Sequence, residues 1–302
     1  MFALSCPRGR AVDAIVRAPH LHSAGRNVHL AMVIQPVPEP QLVRLSTPAG
    51  AAHSLAVAPH AVFNGRYERA EDKHGWVQKI FDETAGDYDR VEGWLSLGSG
   101  RWYRRQALAR AGIRAGMTVA DVACGTGLVS REALALVGPT GVVIGLDPSE
   151  GMLERAAAAL GGFANFMARP SRAESLELDD QSVDAVTFGY ALRHVDDIGL
   201  ALSEFRRVLR PGGTVCMLEI TQPTHRAGKF LLKAYMRILA GVVCRFSRLS
   251  ARTPELWDYY WDTIEKCVPP EAVLECMRRA GFTDVRRGVQ LGIFSEYVGS
   301  AP

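Results

Sequence analysis

Apolar and polar residues recur along this chain with two spacings, one typical of strands and one typical of helices. Short apolar runs predict seven strands, at Thr118–Ala123, Val142–Asp147, Ala164–Ala168, Val183–Gly189, Thr214–Ile220, Asp284–Gly288 and Gln290–Val298. Helical spacing lies between most of them, at Leu128–Leu136, Glu150–Leu160, Gly199–Leu209 and Pro270–Ala280. Strands that alternate with helices predict an α/β fold, with an open parallel sheet covered by helices on both faces. Only a short turn separates the last two strands, so we expect an antiparallel hairpin at one edge.

The chain upstream of the first predicted strand divides into two regions. Residues 66–115 carry helical spacing and predict two or three helices. Residues 1–65 contain only two acids, Asp13 and Glu39, and hold five of the eight histidines. That composition predicts a disordered or weakly ordered extension. Two alternatives remain open: a transit peptide, since such peptides are rich in Arg and poor in acids, and an over-long start with Met32 as a later one.

The composition of the chain excludes some classes of function but does not identify one. The 302 residues are 48% hydrophobic and 22% charged, which is ordinary for an enzyme that buries a core. A net charge of +3 is too small to indicate nucleic acid as a partner, and the aromatic pattern of single-strand binders is absent. The six cysteines are scattered and form no C-x-x-C pair, which predicts reduced thiols and a cytoplasmic location. The histidines lack the spacing of metal ligands, so we expect no metal. No apolar run reaches the ~18–20 residues that span a bilayer.

A glycine turn follows the first predicted strand, in the stretch VADVACGTGLVS at residues 119–130. Ligands of open parallel sheets bind at the carboxyl ends of the strands, and glycines let a ligand approach the backbone closely. The dinucleotide fingerprint G-x-G-x-x-G would need a third glycine where Ser130 stands, and the phosphate-binding loop would need a lysine after the glycines. Both are absent, so we expect an adenosyl ligand that lacks a pyrophosphate.

Asp147 ends the second predicted strand, 20 residues beyond Gly127. A carboxylate in that place can accept hydrogen bonds from both hydroxyls of a ribose. The segment DPSEGMLERA also suits the first turn of a helix, so Asp147 as a helix cap is a second interpretation, compatible with the first. Enzymes that use NAD and enzymes that use S-adenosylmethionine share this arrangement, which leaves the ligand open at this point.

Five segments occur in an order that is more specific: VADVACGTG, GLDPSEGMLERA, VTFGYALRHVDD, EFRRVLRPGGTVCMLEITQP and AGFTDV. With them, residues 74–298 resemble class I S-adenosylmethionine-dependent methyltransferases, and within that class the ubiquinone/menaquinone biosynthesis C-methyltransferases. The resemblance implies a Rossmann-like, seven-stranded methyltransferase sheet with an N-terminal helical cap. It implies a methyltransferase domain over residues 66–302, with a cofactor-binding core at 116–220, a substrate lid at 221–270 and a final helix and hairpin at 271–302.

The same resemblance implies an enzyme with S-adenosyl-L-methionine as its cofactor and a hydrophobic small molecule as its acceptor. We expect methylation at a carbon of an aromatic or quinol-type ring. Methylation at oxygen or nitrogen of a natural product or lipid is the alternative within the class, since the same motifs serve all three. A non-catalytic adenosyl-binding partner of a biosynthetic complex is the alternative from another class.

Cofactor-binding residues are implied at the matching positions, and these are Tyr88, Gly125, Thr126, Gly127, Asp147, Met152, Arg172, Ala173 and Gly189. Thr126 would face the methionine part of the cofactor, Met152 would pack on the adenine or serve the core, and Tyr88 would close over the site or only pack. Two positions depart from the family, since Arg172 replaces a small amide or acid and Gly189 replaces a serine. Ala173 would contribute its backbone amide.

The pair Arg193 and His194, after the fourth predicted strand, matches the family's catalytic position. Arg193 would bind an oxyanion of a quinol and lower its pKa. His194 stands in place of the usual asparagine and would accept a proton near neutral pH. A histidine that caps the following helix is the alternative for His194.

Substrate contacts are expected from the cap, where the segment YYWDTI at residues 259–264 departs from the family's pattern. We expect Tyr260 and Asp262, together with Tyr190, to contact the acceptor; repacking of the sheet edge is the alternative. Basic residues alternate with apolar ones along the stretch His225–Arg252. Three interpretations of it remain open: an interfacial helix in peripheral contact with a membrane, a lid over the site, and a homodimer face.

Overall fold

The computed structural model describes residues 56–61, 66–67, 69–95, 99–246 and 252–302. Eight α-helices lie within these residues: α1 (Lys73–Leu95), α2 (Gly100–Arg110), α3 (Leu128–Val137), α4 (Glu150–Leu160), α5 (Ile198–Val208), α6 (Arg226–Phe246), α7 (Thr253–Lys266) and α8 (Pro270–Arg279). The same described ranges contain seven strands: β1 (Thr118–Val122), β2 (Val142–Asp147), β3 (Phe166–Pro170), β4 (Val183–Gly189), β5 (Leu209–Ile220), β6 (Thr283–Gln290) and β7 (Phe294–Ser300).

These strands form a single sheet in the order β3-β2-β1-β4-β5-β7-β6. Strands β1 to β5 pair in parallel, and β7 lies antiparallel between β5 and β6. The chain order reverses between β1 and β4, so the carboxyl ends of these two strands border the crevice in which such sheets bind ligands. The predicted Rossmann-like α/β fold with an antiparallel last strand is confirmed.

At the last hairpin the predicted bounds differ from the observed ones by several residues. We expected one strand over Gln290–Val298, but Gln290 ends β6 and β7 begins only at Phe294. A turn lies between the two strands, with φ of 51° at Leu291 and 73° at Gly292. The prediction was wrong here because the sequence stays apolar through the turn. The bounds of β1, β3 and β5 also differ by a few residues, since sheet pairing rather than the local pattern decides them.

Both faces of the sheet are covered, which explains the nearly continuous apolar runs of its central strands. Ala120 and Val122 of β1 belong to one core cluster, which includes residues of α5 and α8. Val119 of β1 belongs to another cluster, which includes residues of α2 and α3. Successive side chains of a strand point to opposite faces, so the two clusters lie on opposite sides of the sheet.

Helices α1, α6 and α7 form a cap with two apolar clusters of its own. Ile80 of α1 packs with Tyr259 of α7 in one of them, and Met236 of α6 packs with Trp257 of α7 in the other. No helix in the described part of the chain is long and apolar enough to cross a membrane.

Most of the predicted N-terminal extension, residues 1–55 and 62–65, lies outside the described residues. Residues 56–61 pack on the domain. The carbonyl of Val57 accepts a hydrogen bond from Ile198 N at 3.0 Å, and the carbonyl of Pro59 accepts one from Val268 N at 2.8 Å. His60 is buried. This short segment is therefore part of the folded domain, upstream of the boundary expected at residue 66.

Candidate active site

Unusual backbone conformations mark the ends of the two central strands. Gly125, in the turn after β1, has a φ of 54°, and Ala123 just before it has a φ of 52°. Tyr190, directly after β4, has a φ of 61°. A positive φ is uncommon for residues with a Cβ, costs about 1–3 kcal/mol and concentrates at functional sites. Strain at Ala123 and Tyr190 thus borders the crevice between β1 and β4.

A cavity of about 110 Å³, named cavity 1, lies at these strand ends under α1. Eleven of the fourteen expected site residues line it: Tyr88, Gly125, Asp147, Met152, Arg172, Ala173, Gly189, Tyr190, Arg193, His194 and Tyr260. Helix α1 also contributes His74, Gln78 and Phe81. Those three are not recognisable from the sequence, because a helical pattern does not show which sheet edge the helix will cover.

Hydrogen bonds fix α1 over cavity 1. Gln78 Nε2 donates to the carbonyl of Pro148 at 2.8 Å, and the hydroxyl of Ser149 donates to Asp82 at 2.5 Å. Ser149 is also the N-cap of α4, since its side chain accepts from Met152 N at 3.1 Å. The loop between β2 and α4 therefore joins the cap to the sheet beside the buried Met152 side chain.

Asp147 lies buried at the end of β2 with part of its carboxylate in use. It accepts hydrogen bonds from Gly125 N at 2.8 Å and from Ser149 N at 2.9 Å. Burial raises the pKa of Asp147 to about 6, although these two N–H groups act to lower it. A carboxylate has roughly four acceptor positions, so about two remain for a ligand. The helix-cap interpretation of Asp147 is wrong, because Ser149 caps α4.

Two glycines shape cavity 1 in different ways. A Cβ at Gly125 would meet no atom within 4 Å, so this position leaves room for a ligand beside the backbone. A Cβ at Gly189 would lie only 2.7 Å from Cγ2 of Val129. Val129 therefore fills the space that the side chain of a serine at position 189 would need, which gives a physical reason for this departure from the family.

Two expected cofactor residues do not line cavity 1. Thr126 is buried, and its hydroxyl donates to Asp89 of α1 at 2.5 Å, so it joins the turn to the cap and does not face the cavity. Gly127 precedes α3, and a Cβ there would lie 2.7 Å from Cδ1 of Leu160. Glycine at 127 thus permits close packing of the turn on α4.

Ser130, which breaks the dinucleotide fingerprint, has a role that the motif does not reveal. Its hydroxyl donates to the buried Asp121 at 2.5 Å, and the hydroxyl of Thr187 donates to the other oxygen of that carboxylate at 2.6 Å. Burial raises the pKa of Asp121 to about 6. A glycine at 130 would remove one of these two donors.

Arg193 and Glu219 form a buried ion pair. Arg193 Nη1 donates to Glu219 Oε1, and the two residues are 4% and 2% exposed. Burial acts against the charged guanidinium, but the attraction of Glu219 raises the pKa of Arg193. Arg193 Nε has no hydrogen-bond partner among the described residues. The guanidinium also lies 5.6 Å from the ring centre of Tyr260. The charged guanidinium therefore lies beside the face of the Tyr260 ring.

His194 lines cavity 1 as an uncharged side chain. Its Nδ1 lies 2.9 Å from the hydroxyl of Tyr259. Burial, together with the positive charges of Arg193 and Lys73, lowers the pKa of His194 well below its ordinary value of 6.5. Such a group does not suit the expected role of a proton acceptor near neutral pH. The capping alternative also fails, because Asp197 caps α5.

Two buried side chains from upstream of the sheet hold the loop that carries this pair. His60 Nε2 lies 2.9 Å from the carbonyl of Arg193, and Lys73 Nζ donates to the carbonyl of Val195 at 2.5 Å. Burial lowers the pKa of His60 to about 4 and that of Lys73 to about 8. No sequence signal could identify them, because His60 is 133 residues from Arg193 and Lys73 is 122 residues from Val195.

A larger cavity of about 270 Å³, named cavity 2, is enclosed by α1, α2, α6, α7 and the β6–β7 hairpin. Its walls are mostly apolar or aromatic and include Trp102, Leu232, Met236, Ile264, Leu291 and Phe294. Four residues line both cavities and form a shared wall: Tyr88, Tyr190, Arg193 and Tyr260. The two spaces therefore adjoin each other at three phenol rings and one guanidinium.

The three expected substrate residues differ in their placement. Tyr190 and Tyr260 belong to the shared wall. Asp262 lines neither cavity, because its carboxylate pairs with Arg66 at 2.7 Å. The structure thus places two of the expected substrate residues beside Arg193, and it places the third, Asp262, outside both cavities.

Comparison with known proteins adds to this geometry. Residues 67–300 match the ubiE/COQ5 methyltransferase family. A demethylmenaquinone methyltransferase of Staphylococcus aureus is 32% identical over 224 residues, which cover 74% of this chain and 92% of the relative. A Thermotoga maritima structure described as a SAM-dependent methyltransferase, possible histamine N-methyltransferase, has a TM-score of 0.53 at 20% identity and covers 74% of this chain and 99% of its own. The cyclase SpnF has a TM-score of 0.52 at 16% identity over 76% of this chain and 96% of its own.

Proposed function

Since the chain belongs to the ubiE/COQ5 methyltransferase family and is an S-adenosylmethionine-dependent methyltransferase, we propose that it methylates a ring carbon of a hydrophobic, quinol-type acceptor in cavity 2. The shared wall is the observation that carries this proposal. A methyl transfer requires the donor and the nucleophile in line and close together. Two cavities that meet at Tyr88, Tyr190, Arg193 and Tyr260 provide such a meeting point.

We assign the cofactor to cavity 1. The free acceptor positions of Asp147 suit the two ribose hydroxyls, the side chain of Met152 suits a face of the adenine, and the bare backbone at Gly125 leaves room for a close approach. S-adenosylmethionine supplies an electrophilic methyl group on a positively charged sulfonium. The aromatic wall suits a cation, because the face of a phenol ring attracts positive charge.

The charges near the wall are consistent with a cationic cofactor. Glu219 balances the charge of Arg193, and burial keeps His194 neutral. A protonated His194 would repel the sulfonium from the side of cavity 1. We therefore assign His194 to the cofactor side as an uncharged, positioned side chain and not as the general base.

On the acceptor side, we assign Arg193 to the ring oxygen of a quinol. Loss of a ring-hydroxyl proton to water raises the electron density at the neighbouring carbon, and a nearby guanidinium favours the oxyanion. That carbon takes the methyl group, S-adenosylhomocysteine is the leaving group, and the carbon then loses its own proton to water as the ring becomes aromatic again. Arg193 lines cavity 2, so its guanidinium is within the part of the site that the quinol ring would occupy. The apolar walls of cavity 2 suit the rest of a hydrophobic molecule. The name of the Staphylococcus aureus relative supports a demethylmenaquinone-like acceptor.

The test is an assay with labelled S-adenosylmethionine and chemically reduced demethylmenaquinone, with mass and NMR analysis of the product. We expect one added methyl group on the ring carbon. A methyl group on oxygen or nitrogen would overturn the choice of atom. Binding of S-adenosylhomocysteine without methylation of any quinol would overturn the acceptor class and leave the cofactor site intact. Oxidised quinone serves as the matched control, because it lacks the hydroxyl that can ionise.

A further inference from the structure

The most exposed large apolar side chains in the described part of the chain are concentrated around cavity 2. Five of them are 66% to 86% exposed: Trp102 of α2, Phe230, Leu231 and Ile238 of α6, and Leu291 between β6 and β7. The next most exposed, Leu200 on α5, is 48% exposed. All five belong to three of the elements that enclose cavity 2, namely α2, α6 and the β6–β7 hairpin. Exposed apolar area of this kind marks an interaction surface.

This surface reaches the entrance of cavity 2. Trp102 and Leu291 both line the cavity and are 69% and 86% exposed, so the cavity opens to the surface beside them. An apolar molecule in cavity 2 would therefore have its exit path along the same apolar surface.

Helix α6 is amphipathic in an unusual sense, because it has two apolar sides. Leu232 and Met236 face cavity 2. Phe230, Leu231 and Ile238 lie on the outer side, within an arc of about 100° at the spacing of an α-helix. The inner side explains how α6 folds onto the domain, whereas the outer side stays largely exposed among the described residues.

The polar residues of the same surface are basic. The sequence of helix α6 contains five basic residues, Arg226, Lys229, Lys233, Arg237 and Arg245, and no Asp or Glu. Helix α2 adds the exposed Arg105, whereas its other three arginines pair with acids, Arg101 with Glu132, Arg104 with Glu92 and Arg110 with Glu296. Lys233 lies 3.7 Å from Glu265 of α7. A face that combines apolar and cationic groups complements an anionic lipid surface.

We propose that the outer face of α6, with Trp102 and Leu291, rests on the surface of an anionic lipid bilayer. The apolar side chains would enter the interfacial region, and the basic ones would stay at the level of the headgroups. Trp102 is suited to this boundary, where tryptophan is enriched. Docking in this orientation places the entrance of cavity 2 against the lipid. A lipid-soluble acceptor could then enter cavity 2 directly from the bilayer. This entry of the acceptor rests on the proposed function, whereas the docking itself does not.

Vesicle sedimentation tests the docking without any need for turnover. The full chain is mixed with vesicles of phosphatidylcholine and phosphatidylglycerol in equal parts, and separately with phosphatidylcholine alone. We expect binding to the anionic vesicles that decreases with salt, and much weaker binding to the neutral ones. The double variant Phe230→Ser, Ile238→Ser should lower partitioning by about tenfold or more, because two side chains lose their apolar burial.

Leu200→Ser is the matched control, since it removes an exposed leucine from α5 and should leave partitioning unchanged. Binding of S-adenosylhomocysteine should be the same in all three proteins, which shows that they are folded. If the double variant partitioned to the anionic vesicles as strongly as the unsubstituted protein, the proposal would be overturned. So would a dimer in light scattering that the double variant dissociates, because the face would then bind a second copy. Docking without methylation of any quinol would instead count against the proposed function.

Discussion

Nδ1 of His194 lies 2.9 Å from the hydroxyl of Tyr259, and the two rings stack with their centres 5.3 Å apart. Tyr259 belongs to α7, so this contact joins the loop after β4 to the cap. It also occupies one ring nitrogen of a histidine that burial keeps neutral. The residue that stands in place of the family's asparagine therefore behaves as an uncharged hydrogen-bonding group.

His194→Asn should keep most of the methyl-transfer activity. Asparagine is also neutral and polar, and nothing in the proposed chemistry needs a proton to move through position 194. The loss of a general base usually costs about 10²–10⁴ in rate. We expect a much smaller change in kcat and an unchanged pH profile, measured beside His225→Asn as an exposed histidine control. A fall of kcat into the range of a lost base would restore a catalytic role to His194.

Asp147→Asn should weaken the binding of S-adenosylhomocysteine by about 10- to 100-fold, the usual cost of losing charge-assisted hydrogen bonds. The wild-type affinity should also depend on pH. Burial raises the pKa of Asp147 to about 6, so the carboxylate is ionised above that pH and protonated below it. Ligand hydroxyls need the ionised form, hence affinity should level off about one pH unit above this pKa and should fall as the pH drops through and below it.

Calorimetric titration of both proteins over this pH range checks the prediction. The asparagine variant should lack this pH dependence, because its side chain does not ionise. A variant that binds as tightly as the wild type would remove Asp147 from the cofactor site. The matched control is Asp179→Asn, since Asp179 is an exposed acid that lines neither cavity.

Gly189→Ser should destabilise the protein although it restores the residue that is common in the family. The new Cβ would lie 2.7 Å from Cγ2 of Val129, and overpacking of this kind typically costs about 1–3 kcal/mol. Val129→Ala in the same chain should recover most of the loss, because it removes the clashing methyl group. Urea unfolding of the single and double variants gives the coupling. Gly162→Ser, where a Cβ meets no atom within 4 Å, is the control for the substitution itself.

A chain that begins at residue 66 should be less stable than one that begins at residue 56. The shorter chain lacks His60, whose Nε2 lies 2.9 Å from the carbonyl of Arg193, and lacks the carbonyl of Pro59 that accepts from Val268 N. An unsatisfied buried group costs about 1–3 kcal/mol. Because the lost contact holds the Arg193 loop, kcat should fall as well.

Thermal unfolding and methyl-transfer rates of the two chains provide the measurement, and His60→Ala in the longer chain isolates the side chain. We expect this variant to show part of both losses. Equal stability and equal rates in the two chains would contradict a positioning role for His60.

Much of the fold and part of the site could be predicted from local patterns. The alternation of strand and helix spacing predicted the sheet, and the glycine turn with Asp147 predicted a nucleoside site at the strand ends. The nucleoside site stays a prediction. Local patterns identified the sheet correctly because periodicity depends on neighbours in sequence. They fail where a contact depends on distant residues, as with Thr126, whose hydroxyl bonds to Asp89 of the cap, and Asp262, which pairs with Arg66.

The sequence by itself thus determined the order of the elements, the position of the glycine turn and the acid at the end of β2, since each is encoded within a few residues. Only the tertiary structure decided the partners of the Arg193 loop, which are Glu219, Tyr259 and His60. It also decided that two cavities share one wall. The physical reason is that burial and charge at these positions depend on how the cap packs on the sheet, and that packing joins segments far apart in the chain.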